Sequence, residues 1–396
     1  MFESVAAAPP DPILGLSEAF AADDRPEKMN LTIGVYKDDA GQTPILKSVK
    51  LAEQRLIEGE TSKGYLGIDG LKTFGDKVRE LTIGANIASD RIAVFQSPGG
   101  TGALRIASDF LSRTFRGGRI WQSAPTWPNH PAIFESAGLE VLSYPYLSQD
   151  GKSCDFDALM DKLEQEAKVG DVICLHACCH NPSGVDLTPE QWTDVAELTG
   201  QRGMLPLIDF AYHGFGDGLE EDHVAIDAIA EQHEEFLVCS SYSKNFGLYS
   251  ERVGALSAIC ANSGACSNVT SAIKRVVRSN YSNPPRHGGA IVACILDDAE
   301  LTQLWQEELA TMRSRIHQLR SDFVSATKER NCPTDFSFLL DQKGMFSFSG
   351  LTPVQVDWLR SEKAIYIVGS GRINVAGVTS QNLGYLADSI TEVLQS

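Results

Sequence analysis

Residues 171–210, DVICLHACCHNPSGVDLTPEQWTDVAELTGQRGMLPLIDF, set two short apolar runs on either side of an amphipathic segment. DVICLH at 171–176 and MLPLID at 204–209 read as buried strands, short and bounded by turn residues. Between them Thr188 and Gln191 match a capping box, Pro189 stands at the first helical position and Gly203 falls past the end. Strands alternating with helices through short links predict a mostly parallel sheet covered on both faces.

The same alternation extends outward. RIAVFQ at 91–96 reads as a strand, followed by SPGGTG and the apolar-periodic ALRIASDFL. GLEVLSYPY at 138–146 is β-rich, Asp155 is placed to cap FDALMDKLEQEAK, and EFLVCSS at 235–241 is another strand. After residue 297 the pattern changes. AELTQLWQEELATMRSRIHQLRSDFVSATKER is a long amphipathic helix, and GMFSFSG, AIYIV and RINVAG read as strands of a smaller α+β unit. Pro9, Pro10 and Pro12 predict an extended start. The expected fold class is α/β. An arm spans 1–13, a small domain is built from 14–44 and 312–396, and a large domain covers 45–311.

Composition narrows the function. The chain has 396 residues, 43% apolar and 22% charged, enough to bury a core without disulfides or metal. It carries 34 Lys and Arg against 52 Asp and Glu, a net charge of −18. Such acidity disfavours nucleic acid and anionic membranes as partners. No apolar run approaches the ~20 residues of a membrane span, and MFESVAAAPPDPILG lacks the pattern of a secretory signal. The nine cysteines, an odd number, read as free thiols in a reducing compartment, so a cytoplasmic location is expected.

In open α/β sheets ligands gather at the carboxyl ends of the strands, which singles out the polar residues there. Gly99, Gly100, Thr101 and Gly102 form a strand-to-helix link that suits an anion, although a plain tight turn has the same pattern. No Gly-Lys-Ser/Thr follows, and the dinucleotide G-x-G-x-x-G is absent. Lys244, just past a buried strand in SSYSKNFG, has the placement of a desolvated amine able to form a Schiff base. An isolated lysine at a strand end is more often solvated. Asp209 ends a core strand, so its carboxylate needs a cationic or hydrogen-bonding partner, whether a ligand or a turn. His176, Cys178, Cys179 and His180 invite a zinc reading. No pair has the C-x2-C spacing, and adjacent cysteines on a strand face opposite ways, so no metal is expected. Asn181 can present its amide to a ligand. Arg252, Arg278 and Arg372 are candidates for carboxylate or phosphate, each also readable as a surface ion pair.

A lysine, an aspartate, a glycine-rich anion link and pocket arginines together describe a pyridoxal phosphate site. At these residues the chain resembles the aspartate aminotransferases of fold type I, class I. The matching strings are NLTIGVYKD, YLGIDG, SPGGTGALR, TWPNH, CCHNPSG, DFAYHGF, SYSKNFGLYSERVG, NYSNPP, GMFSFSG and SGRINVAG. They run in the family's order from Asn30 to Gly377, within a resemblance that extends over about residues 10 to 390. The resemblance implies a seven-stranded-type, mostly parallel sheet in the large domain, pyridoxal 5'-phosphate as cofactor, and a homodimer with shared sites. It implies Lys244 as the Schiff-base lysine, Asp209 as partner of the pyridine nitrogen and Tyr212 as partner of the ring hydroxyl. Asn181 lies beside Tyr212, Trp127 stacks on the ring and His130 supports the aspartate. Gly100, Thr101, Ser241 and Arg252 match the phosphate cradle, with Tyr65 given by the neighbouring subunit. Arg372 matches the clamp on the substrate α-carboxylate, and Arg278 the neighbour's arginine for a distal carboxylate. Gly34 matches a backbone contact near the substrate.

There are departures. Ser183 stands where threonine is frequent, and His213 where glutamine is common. Gly64 before Tyr65, and Ser97–Pro98 at the start of the anion link, can tune the pocket. The implied reaction exchanges amino groups between dicarboxylic amino acids and 2-oxo acids, chiefly aspartate and 2-oxoglutarate. An aromatic-amino-acid or dual-specificity enzyme is the alternative. A lyase or decarboxylase would lack one arginine clamp, a binding protein would lack Lys244 or Asp209, and an oxidoreductase would want the dinucleotide fingerprint.

Overall fold

The structure is a computed structural model that describes residues 2–6, 14–115 and 117–395. Eleven strands are found among these residues: β1 (Met29–Asn30), β2 (Ile92–Pro98), β3 (Arg119–Ala124), β4 (Glu140–Pro145), β5 (Val172–His176), β6 (Leu205–Phe210), β7 (Phe236–Ser241), β8 (Val253–Ile259), β9 (Phe346–Phe348), β10 (Ile365–Tyr366) and β11 (Arg372–Asn374). Seven of them form one sheet in the order β2-β8-β7-β6-β5-β3-β4. β8 runs antiparallel to both its neighbours, and the remaining pairs are parallel.

Alternation along the central strands explains why the sheet is covered on both faces. Cys174, Leu207, Leu237 and Cys239 pack on one side with Leu104 and Ala107 of the helix Gly99–Thr114. Ile173, Leu175, Ile208 and Val238 pack on the other with Trp192 and Val195 of the helix Pro189–Gln201. Both sides are apolar because each residue step flips the side chain to the opposite core. The register pairs His176 with Asp209 and Asp209 with Cys239, so the polar ends of β5, β6 and β7 lie side by side.

Helix boundaries follow their caps. Thr188 accepts from Gln191 N in a complete capping box, Thr352 does the same with Gln355, and Asp155 accepts from Ala158 N. The helix Ala299–Glu329 starts at Asp298, whose side chain accepts from Leu301 N. β1 pairs in parallel with β10, and β9 pairs antiparallel with β11. Segments from both chain ends therefore meet beside the main sheet.

Four points correct or complete the sequence reading. The glycine-rich stretch is no loop: β2 runs to Pro98 and the helix begins at Gly99. β5 ends at His176, so Cys178 and Cys179 lie in the following turn rather than on a strand. β8 has no counterpart in the sequence reading, because GALSAI is mostly small residues of weak strand signal. Pro9, Pro10 and Pro12 of the expected arm lie outside the described residues, while Phe2–Ser4 form a 3-10 turn.

Candidate active site

The carboxyl ends of β5, β6 and β7 open into a cavity of about 240 Å³. It is lined by Gly34, Gly100, Thr101, Trp127, Asn181, Asp209, Tyr212, Ser241, Lys244, Arg252 and Arg372. The structure thus brings eleven of the fourteen candidate residues to one space. His130 lies directly behind it, bonded to Asp209. Tyr65 and Arg278 do not reach it. Tyr65 is 97% exposed. Arg278, in the last turn of the helix Ser263–Asn280, is exposed and bonds the Ser282 hydroxyl.

The anion end is built by close approach. Gly99 has φ +73°, and a Cβ there would stand 2.5 Å from Arg252 Nη2. A Cβ at Gly100 would meet that of Ser241 at 3.1 Å. Glycine is therefore required where the arginine and the serine close over the helix start. No side chain caps that helix, so its first N–H groups stay available at the positive end of the dipole. Arg252 is steadied by Tyr249 O at 3.0 Å and Ser243 Oγ at 3.4 Å.

Asp209, near the end of β6 and paired with Cys239 of β7, is 8% exposed. Burial alone would raise its pKa, but the His130 hydrogen bond and the nearby Lys244 hold it below the usual carboxylate range. Its Oδ2 accepts from His130 Nε2 at 3.0 Å. That fixes a sequence of donors. His130 Nδ1 must then accept from Thr126 Oγ1 at 2.8 Å, leaving Thr126 to accept from His176 Nε2 at 3.0 Å. His176 Nδ1 accepts the Asn181 N–H at 3.4 Å. Burial pulls His176 down to about 3, so it stays neutral and this direction is the consistent one. Trp127 packs edge-on to the His130 ring at 5.3 Å.

Burial also pulls the Lys244 ammonium down to about 8, with Asp209 opposing the shift and Arg252 adding to it. Its Nζ sits 4.2 Å from the Tyr212 ring centroid. Burial pushes the Tyr212 hydroxyl up, so it remains a donor. At the far end Arg372 is 3% exposed. Its Nη2 bonds Thr32 O, its Cζ lies 4.2 Å from the Phe346 ring centroid, and its Nε has no partner among the described residues. A Cβ at Gly34 would collide with Phe346 Cζ at 2.4 Å.

The donor set fits pyridoxal 5'-phosphate. The buried Asn181 Oδ1 and Arg372 Nε lack partners among the described residues, and the cradle at Gly99 and Gly100 is kept open by the absence of side chains. Lys244, Ser241 and Arg252 share that space. Among the described residues no group of three or more His, Cys, Asp or Glu is placed to hold a metal.

Sequence reasoning missed Thr126, Ser243, Tyr249 and Phe346, and it weighed His176 only as a metal ligand. His176 carried a usable signal: it ends β5 beside Asp209 at the end of β6.

A mostly parallel sheet whose strand ends join a buried amine, a buried carboxylate and an anion cradle defines a class, and the family comparison agrees. The chain belongs to the class I and II aminotransferase family, whose model matches residues 26–390. It is 52% identical over 397 residues to the aspartate aminotransferase of Escherichia coli strain K12, covering 100% of both chains. It is 49% identical to an aromatic-amino-acid aminotransferase of Pseudomonas aeruginosa, covering 99% of this chain and 98% of that one. Among solved structures it is similar to an aromatic-amino-acid aminotransferase from Burkholderia pseudomallei covalently bound to pyridoxal phosphate. That match has a TM-score of 0.97 and 45% identity, covering 100% of this chain and 99% of the other.

Proposed function

We propose that the protein is a pyridoxal 5'-phosphate-dependent aminotransferase that interconverts L-aspartate and 2-oxoglutarate with oxaloacetate and L-glutamate. The observation that carries this reading is one cavity holding the depressed amine of Lys244, the ionised Asp209, the Gly100–Ser241–Arg252 cradle and Arg372. Bound there, the cofactor supplies an aldehyde for amines and a ring that takes up the electron pair left when an α-proton is removed.

The chain's residues do the rest. Lys244, whose buried amine holds its proton less tightly than a solvated lysine, would take a proton from the substrate α-carbon at Nζ and carry it to the product side. Asp209, kept ionised and oriented through His130, favours a protonated ring nitrogen. Tyr212 and Asn181 would hold the ring hydroxyl, Trp127 would lie against the ring, and the first-turn N–H groups with Ser241 and Arg252 would hold the phosphate. Arg372 holds the α-carboxylate, with Gly34 beside it. Two substrates using one site in turn give ping-pong kinetics.

Tyr65 and Arg278, exposed and away from the cavity, serve the site of a second copy in a homodimer, Tyr65 toward phosphate and Arg278 toward a distal carboxylate. The small unit spans 14–44 and 312–396, the large one 45–311. The nine free cysteines suit a cytoplasmic location. No described helix is long and apolar enough to cross a membrane.

The 49% identity to an aromatic-amino-acid enzyme favours a second reading, dual specificity. The test compares kcat/KM for aspartate and phenylalanine in the wild type and in Arg278→Asp. A loss of about 100-fold or more for aspartate with little change for phenylalanine supports the distal-carboxylate role. Equal losses overturn it.

A further inference from the structure

Arg320 is an anomaly of charge. It sits on the helix Ala299–Glu329, 2% exposed, outside the cavity. Its hydrogen bonds go to two backbone carbonyls and a hydroxyl, none to a carboxylate. Nη2 donates to Gly344 O at 2.6 Å and Phe346 O at 3.0 Å, and Nε to Ser347 Oγ at 3.3 Å. Nη1 has no partner. A buried guanidinium with no carboxylate bonded to it, Asp186 acting on it through space alone, is costly, so its place here calls for a reason beyond packing.

The reason lies in what those carbonyls carry. Among the described residues β9 is paired on one edge, with β11, in the register Arg372↔Phe348 and Asn374↔Phe346. Arg320 holds carbonyls of the same segment, doing for it what another strand would do. The Phe346 carbonyl is hemmed from a second direction: a Cβ at Gly184 would stand 2.5 Å from it. The Phe346 ring, in turn, is the surface on which the Arg372 guanidinium rests, 4.2 Å from its centroid. Among the described residues the Arg372 guanidinium has the Thr32 carbonyl as its one polar partner. Its aim therefore depends on that ring.

We infer that Arg320 is a positioning residue for carboxylate binding: by clamping the Gly344 and Phe346 carbonyls it sets the Phe346 ring, and through it the Arg372 guanidinium. The inference rests on the reading of Arg372 as the α-carboxylate clamp. Because that carboxylate is shared by every amino-acid and 2-oxo-acid substrate, loss of the clamp weakens both half-reactions. A contact held equally in ground and transition states affects KM rather than kcat.

The experiment measures KM and kcat for L-aspartate and 2-oxoglutarate, with pyridoxal 5'-phosphate affinity, in the holoenzyme and in Arg320→Met, Arg320→Lys and Arg372→Lys. Arg320→Met raises both KM values by about tenfold or more, kcat stays within about threefold, and cofactor affinity is unchanged. Arg320→Lys, with one head group for two carbonyls, falls between. If the methionine variant does not fold, the lysine variant decides alone, since KM does not depend on the fraction of active enzyme. A lower melting temperature with wild-type KM values, while Arg372→Lys raises them, overturns the positioning role and leaves the clamp standing. Wild-type KM values in Arg372→Lys overturn the clamp itself and the inference with it.

Discussion

Lys244 and Asp209 illustrate opposite responses to the same burial. Both lose hydration, yet Asp209 keeps its charge because His130 donates to it, while Lys244 gives up part of its hold on a proton. The sign of the consequence is definite. The Lys244 pKa falls from about 10.5 in the unfolded chain to about 8 in the fold, so the unfolded state binds more protons between these values. The cofactor-free protein therefore gains stability from this group as pH rises from about 8 to 10.5, and bears its full cost below 8. Lys244→Met removes that cost. Denaturant titrations should show the variant more stable than the wild type at pH 7, with the gap closing by pH 10. A gap independent of pH would mean the amine is not desolvated.

The same residues were legible in the sequence for a physical reason. A charged side chain at the end of an apolar strand, as Asp209 is, or a few residues past it, as Lys244 is, stands where the strand ends of a parallel sheet gather ligands. Phe346, Thr126 and Arg320 gave no such signal, since their roles arise from contacts across long sequence separations. Phe346 matters because it meets Gly34 and Arg372. Arg320 reads as an ordinary helical charge, although Ile316, Arg320 and Val324 recur every fourth residue on the buried face.

At the scale of elements, the junction of β2 with its helix is the sharpest constraint. Chain that reads as a loop from its glycines is helix from Gly99 onward, and those glycines exist because Arg252 and Ser241 pack against them. Gly99→Ala forces a left-handed backbone on alanine and pushes Arg252 away. Pyridoxal 5'-phosphate affinity, followed by fluorescence quenching, should fall about tenfold or more. A contrasting substitution tests an element away from the site. Thr188→Ala removes half of a complete capping box and should cost about 1 kcal/mol of stability with kinetics unchanged. Helices with caps, at Asp155 and Thr188, were readable in advance. β8 was not, since GALSAI owes its strand form to pairing with β2 and β7 on both edges.

At the scale of the molecule, the exposed positions of Tyr65 and Arg278 bear on assembly. If sites are shared between two copies, Lys244→Ala and Arg278→Asp damage different chains of the same site. Unfolding and refolding the two inactive variants together gives hybrids in which one site has Lys244 from one copy and Arg278 from the other, both intact. Random pairing should restore roughly a quarter of the aspartate activity. No recovery above the separate variants would place each site within one copy. The charge of −18 has no part in this scheme, and nothing in the site explains it.

The most direct measurement is oxaloacetate production from L-aspartate and 2-oxoglutarate, read through a malate dehydrogenase couple, for the wild type and Lys244→Ala, both supplied with pyridoxal 5'-phosphate. Turnover by the wild type and loss of at least about 10⁴-fold in the variant are predicted, because the proton carrier and the covalent anchor vanish together. No oxaloacetate from the wild type would contradict the aspartate reaction, and comparable turnover by Lys244→Ala would contradict the role of the lysine on which it stands.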